Sequence, residues 1–363
     1  MRDLKAVAAS RVEECDAAPI IGGMLGLEVE DRGAPHPGFG GFAEFETPRA
    51  FYLANARSCI YAAVIALRPP TVWMPSYLCG AMVDAVRAGG CAERFFPLDS
   101  HLRIASWEWL NEVLPGDLVI LIDYFGFGSS PEYAARIRRA GALILEDAAQ
   151  AFFIDPQTRD ADLIIYSPRK FLGVPDGGVL VLAGDTALSL PALAQPPSEW
   201  SLQTFIACLK RRDFDSYRVE SDWFARSQAA ESASPIGLYR MSDLSFALLQ
   251  SGFDFPAIAR KRRANYAFLA EVFRTSAVYP DLPDDVVPLG FPLRISKRDA
   301  VRQFLFTHHI YPPVHWPIEN VVPSSFVESH QLSRELLTLP CDQRYDKADM
   351  QRMATAMNQA LTL

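Results

Sequence analysis

Two kinds of side chain with complementary chemistry stand close together in the middle of this 363-residue sequence: an acid pair, Glu146-Asp147, and an amine, Lys170. Each follows a short apolar run. Ala142 to Leu145 leads into the acids, and Leu163 to Tyr166 leads into Ser167-Pro168-Arg169-Lys170. A third run, Val179 to Leu182, follows the turn Pro175-Asp176-Gly177-Gly178. Runs of this length read as strands buried on both faces, and such strands carry their sites at their ends. A carboxylate and an amine on neighbouring strand ends suit a cofactor whose ring nitrogen is kept protonated by an acid and whose aldehyde forms an imine with a lysine. Pyridoxal 5'-phosphate (PLP) is such a cofactor.

The ordered set Glu146-Asp147-Ala148-Ala149-Gln150, Pro168-Arg169-Lys170-Phe171-Leu172-Gly173 and Asp176-Gly177-Gly178 resembles the E-D-x-A-Q, P-x-K-x-L-G and D-G-G segments of the DegT-type aminotransferases, the nucleotide-sugar branch of the fold type I PLP-dependent enzymes. An acid pair or a lone lysine is common on solvated strand ends; the order and spacing of the set carry the reading. The resemblance implies that Lys170 carries the Schiff base, that Asp147 pairs with the pyridinium nitrogen, and that Gln150 sits near the ring oxygen. It implies an α/β fold with a mainly parallel central sheet, helices on both faces, and a small C-terminal α+β domain.

The phosphate end departs from that family. Small and polar residues ahead of a helix offer free N–H groups and a positive dipole end, a seat for phosphate. Where the family has S-G-T-A-A-L, this chain has Asn55-Ala56-Arg57-Ser58-Cys59-Ile60, so Arg57 and Ser58 stand at the Gly and Thr positions. An ordinary N-cap is the other reading of Ser58. The family's Ser five residues before the lysine is Ile165 here, and the Asn of its G-Y-N-Y-R-M segment is Leu238. Arg57, Ser58 and Ser167 are expected to compensate through charge-assisted bonds; the plainer alternative is that Arg57 points to solvent. In the P-S-F-x-F segment Cys79 takes the place of the stacking aromatic, which leaves Tyr77 to stack on the cofactor ring or to be simply buried. Asp123-Tyr124-Phe125-Gly126 matches H-x-Y-G, and Ile310 to Pro317 resembles G-I-x-x-x-x-H-Y-P. On that basis Tyr124 and His315 are candidates to face the substrate, with a structural role the alternative for His315.

The elements that must hold these residues alternate between strand and helix. Thr71–Pro75, Phe95–Asp99 and Leu118–Ile122 read as strands, with helices at 60–67, 80–88, 107–114 and 132–140. Strands alternating with helices at this interval build βαβ units with the site at the strands' carboxyl ends. Helices are expected at 200–214, 221–231, 242–251 and 257–273. Beyond them come a strand at 291–295, a helix at 298–307 capped by Ser296, a strand at 337–340 and a closing helix at 347–361. The domains divide as a Gly/Pro-punctuated N-terminal arm (1–50), a large PLP-binding domain (51–240) and a small C-terminal domain (241–363). By resemblance, the arm packs across a dimer interface.

Composition narrows the function. A net charge of −8 with half the residues hydrophobic describes a globular protein and argues against nucleic-acid or membrane-surface binding. Six cysteines without a CxxC pair and six histidines without ligand spacing suggest reduced thiols and no metal site. No apolar leader or membrane span is evident, so a cytoplasmic location is expected. No G-x-G-x-x-G follows the first strand, which disfavours a dinucleotide oxidoreductase.

The resemblance, which runs from about residue 50 onward, implies transamination: an amino donor (glutamate) and a keto-sugar acceptor, nucleotide-linked, in surface-glycan or secondary-metabolite biosynthesis, carried out by a homodimer. A lysine at position 170, where the family's dehydratase branch has a histidine, favours transfer. Two alternatives stay open: a PLP enzyme of another reaction type acting on an amino acid, and a non-catalytic paralogue.

Overall fold

The computed structural model describes residues 19–28, 49–183, 186–219, 221–251 and 253–362. Most of the expected N-terminal arm lies outside the described residues. The described part of it, 19–28, packs on its own chain: Leu25 and Leu27 are buried, and β1 (Ile21–Gly22) is the first strand.

The chain then runs through β2 (Ala50–Leu53), α1 (Ala56–Leu67), β3 (Thr71–Pro75), α2 (Gly80–Ala88) and β4 (Ala92–Phe96). There follow β5 (Leu118–Ile122), α3 (Pro131–Arg139), β6 (Leu143–Asp147), β7 (Leu163–Tyr166) and β8 (Gly178–Leu182). Four helices come next: α4 (Ser198–Tyr217), α5 (Trp223–Ser232), α6 (Asp243–Ser251) and α7 (Phe255–Phe273). The last part holds β9 (Phe291–Arg294), α8 (Arg298–Phe306), β10 (Ile310–Tyr311), α9 (Val327–Glu335), β11 (Leu336–Leu339) and α10 (Lys347–Ala360).

Seven strands form the central sheet in the order β2-β8-β7-β6-β5-β3-β4. Neighbours from β7 through to β4 are parallel, and only β8 runs against the rest, pairing antiparallel with both β7 and β2. Every residue of β5, β7 and β8 is buried. That is why these runs are continuously apolar: helices cover both faces and no side of the strand meets water. The expectation of a mainly parallel α/β sheet is met. Two smaller two-stranded sheets join β1 to β10 and β9 to β11.

Two hydrophobic cores result. The larger surrounds the central sheet, and the smaller gathers β9, β11, α8, α10 and the second half of α7. The helix α7 belongs to both, with Ile258 in the first core and Tyr266, Leu269 and Phe273 in the second.

Local chemistry sets the helix ends that matter for the site. Asn55 caps α1 by accepting a 2.8 Å bond from the Ser58 N–H, so the cap is Asn55 rather than Ser58. The helix α3 starts at Ser130-Pro131 and ends on three arginines, in keeping with its dipole. Several expected elements differ. Residues 107–114 form only a short 3-10 turn over 108–112, because Trp109 is held against Phe96 with ring centroids 4.6 Å apart. The strand expected at 95–99 sits earlier, as β4. Ser296 does not cap α8; Lys297 holds that position and offers no side-chain cap.

Candidate active site

The site is built at the carboxyl ends of β5, β6 and β7. Asp147 is the last residue of β6 and lies in register with Ile122 of β5 and Ile165 of β7. After β7, a 3-10 turn over Pro168–Lys170 returns the chain toward the strand end, with the Lys170 N–H donating to the Ser167 carbonyl at 3.1 Å. This turn brings Lys170 into electrostatic contact with Asp147, and each affects the other's ionisation. Burial raises the Asp147 carboxyl above the usual carboxylate range, while Lys170 and a 2.9 Å bond from the Ala149 N–H work the other way. Burial lowers the Lys170 amine, and Asp147 opposes that. The pair is therefore an acid held next to an amine that gives up its proton more readily than a free lysine.

Gln150 is buried and its orientation is fixed: Oε1 accepts from the Phe125 N–H at 2.9 Å. Phe125 sits at φ 58°, a left-handed conformation held by the following Gly126 turn. The Gln150 Nε2 group is buried with no partner. Ser58, at the first turn of α1, is fully buried and its Oγ likewise has no partner. Leaving a buried donor unmet costs about 1–3 kcal/mol, so two such atoms at one sheet edge mark a place shaped for something else.

Around α1's N-terminus the chain passes itself closely. A side chain at Gly178 would meet the Asn55 backbone at 2.5 Å, and one at Gly177, where φ is 128°, would strike Met241 at 2.7 Å. Gly178 is thus required by close backbone packing, and Gly177 by its positive φ. Asp176 is tied to the next segment, accepting from Ser242 Oγ at 2.9 Å. Arg57 does not point to solvent. It pairs with the Glu231 carboxylate and also bonds the Glu231 carbonyl at 3.3 Å. Arg169 reaches the other oxygen of the same carboxylate at 2.9 Å. Ser167 is buried directly under this turn.

The remaining expected residues are placed as follows. Tyr77 is fully buried with its ring 6.2 Å from Tyr124 and 5.6 Å from Trp316, so as packed here it presents no open face. Tyr124 donates its hydroxyl to the Tyr77 carbonyl. Cys79 is the residue ahead of α2 and lies close enough to Lys170 to affect its charge. His315 bonds Thr338 Oγ1 through Nδ1 at 3.0 Å, and burial together with nearby Lys170 lowers its pKa to about 3, leaving a neutral imidazole.

Several residues beneath the site were given no role from sequence. Asp123, at the family's His position, is wholly buried beside Glu146, and Arg159 bridges both carboxylates. Burial first, then Glu146, raises the Asp123 carboxyl well above its ordinary value, while Arg159 works the other way. From the second core, Arg262 lies over the Phe171 ring at 4.6 Å, and Gln343 donates to the Phe171 carbonyl at 2.7 Å, fixing the peptide next to Lys170. Arg262 and Gln343 carry no local signal that would have found them. Glu231 had one: two arginines beside a lysine need a countercharge.

Among the described residues no group of three or more His, Cys, Asp or Glu could hold a metal, and no helix is long and apolar enough to cross a membrane. The five described cysteines are free.

No protein-family model matches the chain, and no curated protein matches it. Solved structures do. Helicobacter pylori PseC, an aminotransferase involved in pseudoaminic acid biosynthesis, superposes with a TM-score of 0.68 at 13% identity, covering 95% of this chain and 100% of that one. Streptomyces venezuelae DesV, solved with a ketimine intermediate, gives 0.62 at 18%, with 91% and 90% covered. A DegT/DnrJ/EryC1/StrS aminotransferase from Brucella abortus gives 0.60 at 15%, with 88% and 87% covered. At such identities the likeness establishes architecture. The chain shares the fold of these aminotransferases over nearly its whole length.

Proposed function

We propose that this protein is a PLP-dependent aminotransferase that moves an amino group from an amino acid, glutamate by resemblance, to a nucleotide-linked keto-sugar. The observation that carries the reading is the Asp147–Lys170 pair at the β6 and β7 ends, flanked by two buried polar atoms without partners, Gln150 Nε2 and Ser58 Oγ. These residues fit PLP: Asp147 for the ring nitrogen, Gln150 for the ring oxygen, Lys170 for the aldehyde carbon, and Ser58 with Arg57, Arg169 and Ser167 for the phosphate. When bound, PLP supplies an electrophilic carbon and an electron-accepting ring.

The chain's own residues do the rest. Asp147, shielded from water, holds a proton at the ring nitrogen. Lys170 Nζ, with its affinity for protons lowered by burial, is the base that takes the proton from the donor's α-carbon and returns it on the way back. Neutral His315, held by Thr338 and near enough to Lys170 to feel its charge, is assigned to the substrate. Tyr124 and Tyr77 act as the packed wall behind it.

In this reading residues 51–240 form the cofactor-binding domain and 241–363 the small domain. The protein works as a cytoplasmic homodimer in glycan or secondary-metabolite synthesis. Leu202 and Phe224, more than half exposed on α4 and α5, support a covered face there.

The test is amino transfer from labelled glutamate to a panel of nucleotide-linked keto-sugars by the PLP-loaded protein. Transfer that depends on Lys170 supports the reading. Loss of the glutamate label as carbon dioxide or as a racemised amino acid, with no acceptor aminated, would point instead to a PLP enzyme of another reaction type.

A further inference from the structure

Two guanidinium groups converge on one carboxylate beside Lys170. Arg57, in the first turn of α1, and Arg169, next to the lysine, each take one oxygen of Glu231. The electrostatic reach of Glu231 extends to Lys170 itself. One residue beyond Arg57, Ser58 Oγ is fully buried with no partner. The arrangement is an anion seat: a twelve-residue helix's N-terminus, two arginines and an unmet hydroxyl. Its present anion is a side chain of the protein.

Glu231 is not well suited to stay there. It is the second-last residue of α5, where a negative charge faces the negative end of its own helix. Its side chain is 46% exposed, and ion pairs in that setting are worth only about 0–1 kcal/mol each. Glu231 and Arg169 both border a small cavity that α4 and α5 also line, where Thr204 and Ser227 offer hydroxyls. The carboxylate has room to move within the cavity it already borders.

We infer that Glu231 is an internal competitor for the cofactor phosphate: it keeps Arg57 and Arg169 converged in the empty protein and must leave the seat when a phosphate arrives. The cup then works with two arginines where Ile165 and Leu238 supply nothing. Cofactor retention is correspondingly weaker than the arginine pair alone would give. The identity of the ligand rests on the PLP reading above; the competition itself does not.

The experiment titrates cofactor-free wild-type protein and Glu231→Gln with PLP, followed by visible absorption, and separately with inorganic phosphate, followed by calorimetry. Glu231→Gln is expected to bind both more tightly, by up to about thirtyfold, the most that two ion pairs of about 0–1 kcal/mol each could withhold. Arg169→Met is expected to bind phosphate more weakly. Phosphate affinity in Glu231→Gln that is unchanged, weaker or undetectable overturns the inference, whatever PLP does. Tighter phosphate binding with no PLP band in either protein keeps the inference and removes the cofactor reading instead. Should the glutamine variant not fold, Glu231→Asp, which is too short to span both arginines, is expected to shift phosphate affinity in the same direction; no shift overturns the inference.

Discussion

Replacing Arg159 with methionine tests whether the floor of the site is held by charge. The side chains of Asp123 and Glu146 are 0% and 4% exposed, so neither can regain water when Arg159 goes. Removing one partner of a buried ion pair costs about 3–5 kcal/mol, because an uncompensated charge is left behind. Methionine keeps most of the volume, which confines the loss to electrostatics. The loss must also depend on pH. Burial and Glu146 already raise the folded-state pKa of Asp123 above its unfolded value. A carboxyl raised in this way opposes folding increasingly as pH climbs from its unfolded pKa toward its folded one. Without Arg159 the folded value of Asp123 rises further, so the deficit is largest at neutral pH and shrinks as pH falls toward the unfolded carboxyl's pKa of about 4. Denaturant unfolding followed by tryptophan fluorescence at pH 7.5 and pH 4.5 measures it. A deficit under about 1 kcal/mol at the higher pH, or one that is equal at both, would refute this account of the cluster.

Three further outcomes are expected. Ser58→Ala removes a buried hydroxyl with no partner, so the stability of the cofactor-free protein should stay the same or rise slightly, while PLP affinity falls about threefold to tenfold, the worth of one hydrogen bond; stability and affinity falling together would place the hydroxyl in the packing instead. Asp117→Asn should lower stability by about 2–3 kcal/mol, seen as a lower denaturant midpoint at constant slope, because the carboxylate accepts from Thr71 N, Trp73 Nε1 and Leu114 N, and an amide cannot serve all three. Asp147→Asn should move the titration of Lys170 in cofactor-free protein to lower pH, since Asp147 is what holds the amine up against burial; labelling of Lys170 by an amine-directed reagent across pH reads it, and a shift to higher pH would mean the two do not face each other.

Much of this was legible because burial on both faces leaves a plain trace. Leu118–Ile122 and Leu163–Tyr166 are continuous apolar runs, and they are strands to the residue. Asp147 and Lys170 follow such runs and were singled out for that reason, whereas Gln150 was read only from its place in a family segment. What was missed lacks a periodic signal. The helix α9 went unread because its buried face carries Ser329, His330 and Ser333 beside Leu332, polar groups that hide an inward side. A serine at 296 looked like a cap, yet the helix begins after Lys297, and Ser296 stays exposed. Glu231 and Arg57 are 174 residues apart, and their meeting depends on how the α4–α5 pair folds back over α1. The bond from the Tyr124 hydroxyl to the Tyr77 carbonyl, 47 residues away, likewise has no local signal.

The central claim is that Lys170 is the residue to which PLP attaches. The most direct measurement is to load the protein with PLP, reduce it with borohydride, digest it and locate the modified peptide by mass spectrometry. Attachment predicts a single pyridoxyl adduct on Lys170, absent in Lys170→Ala although that variant folds. An adduct spread over surface lysines, or none on Lys170 in protein that binds PLP, would contradict it.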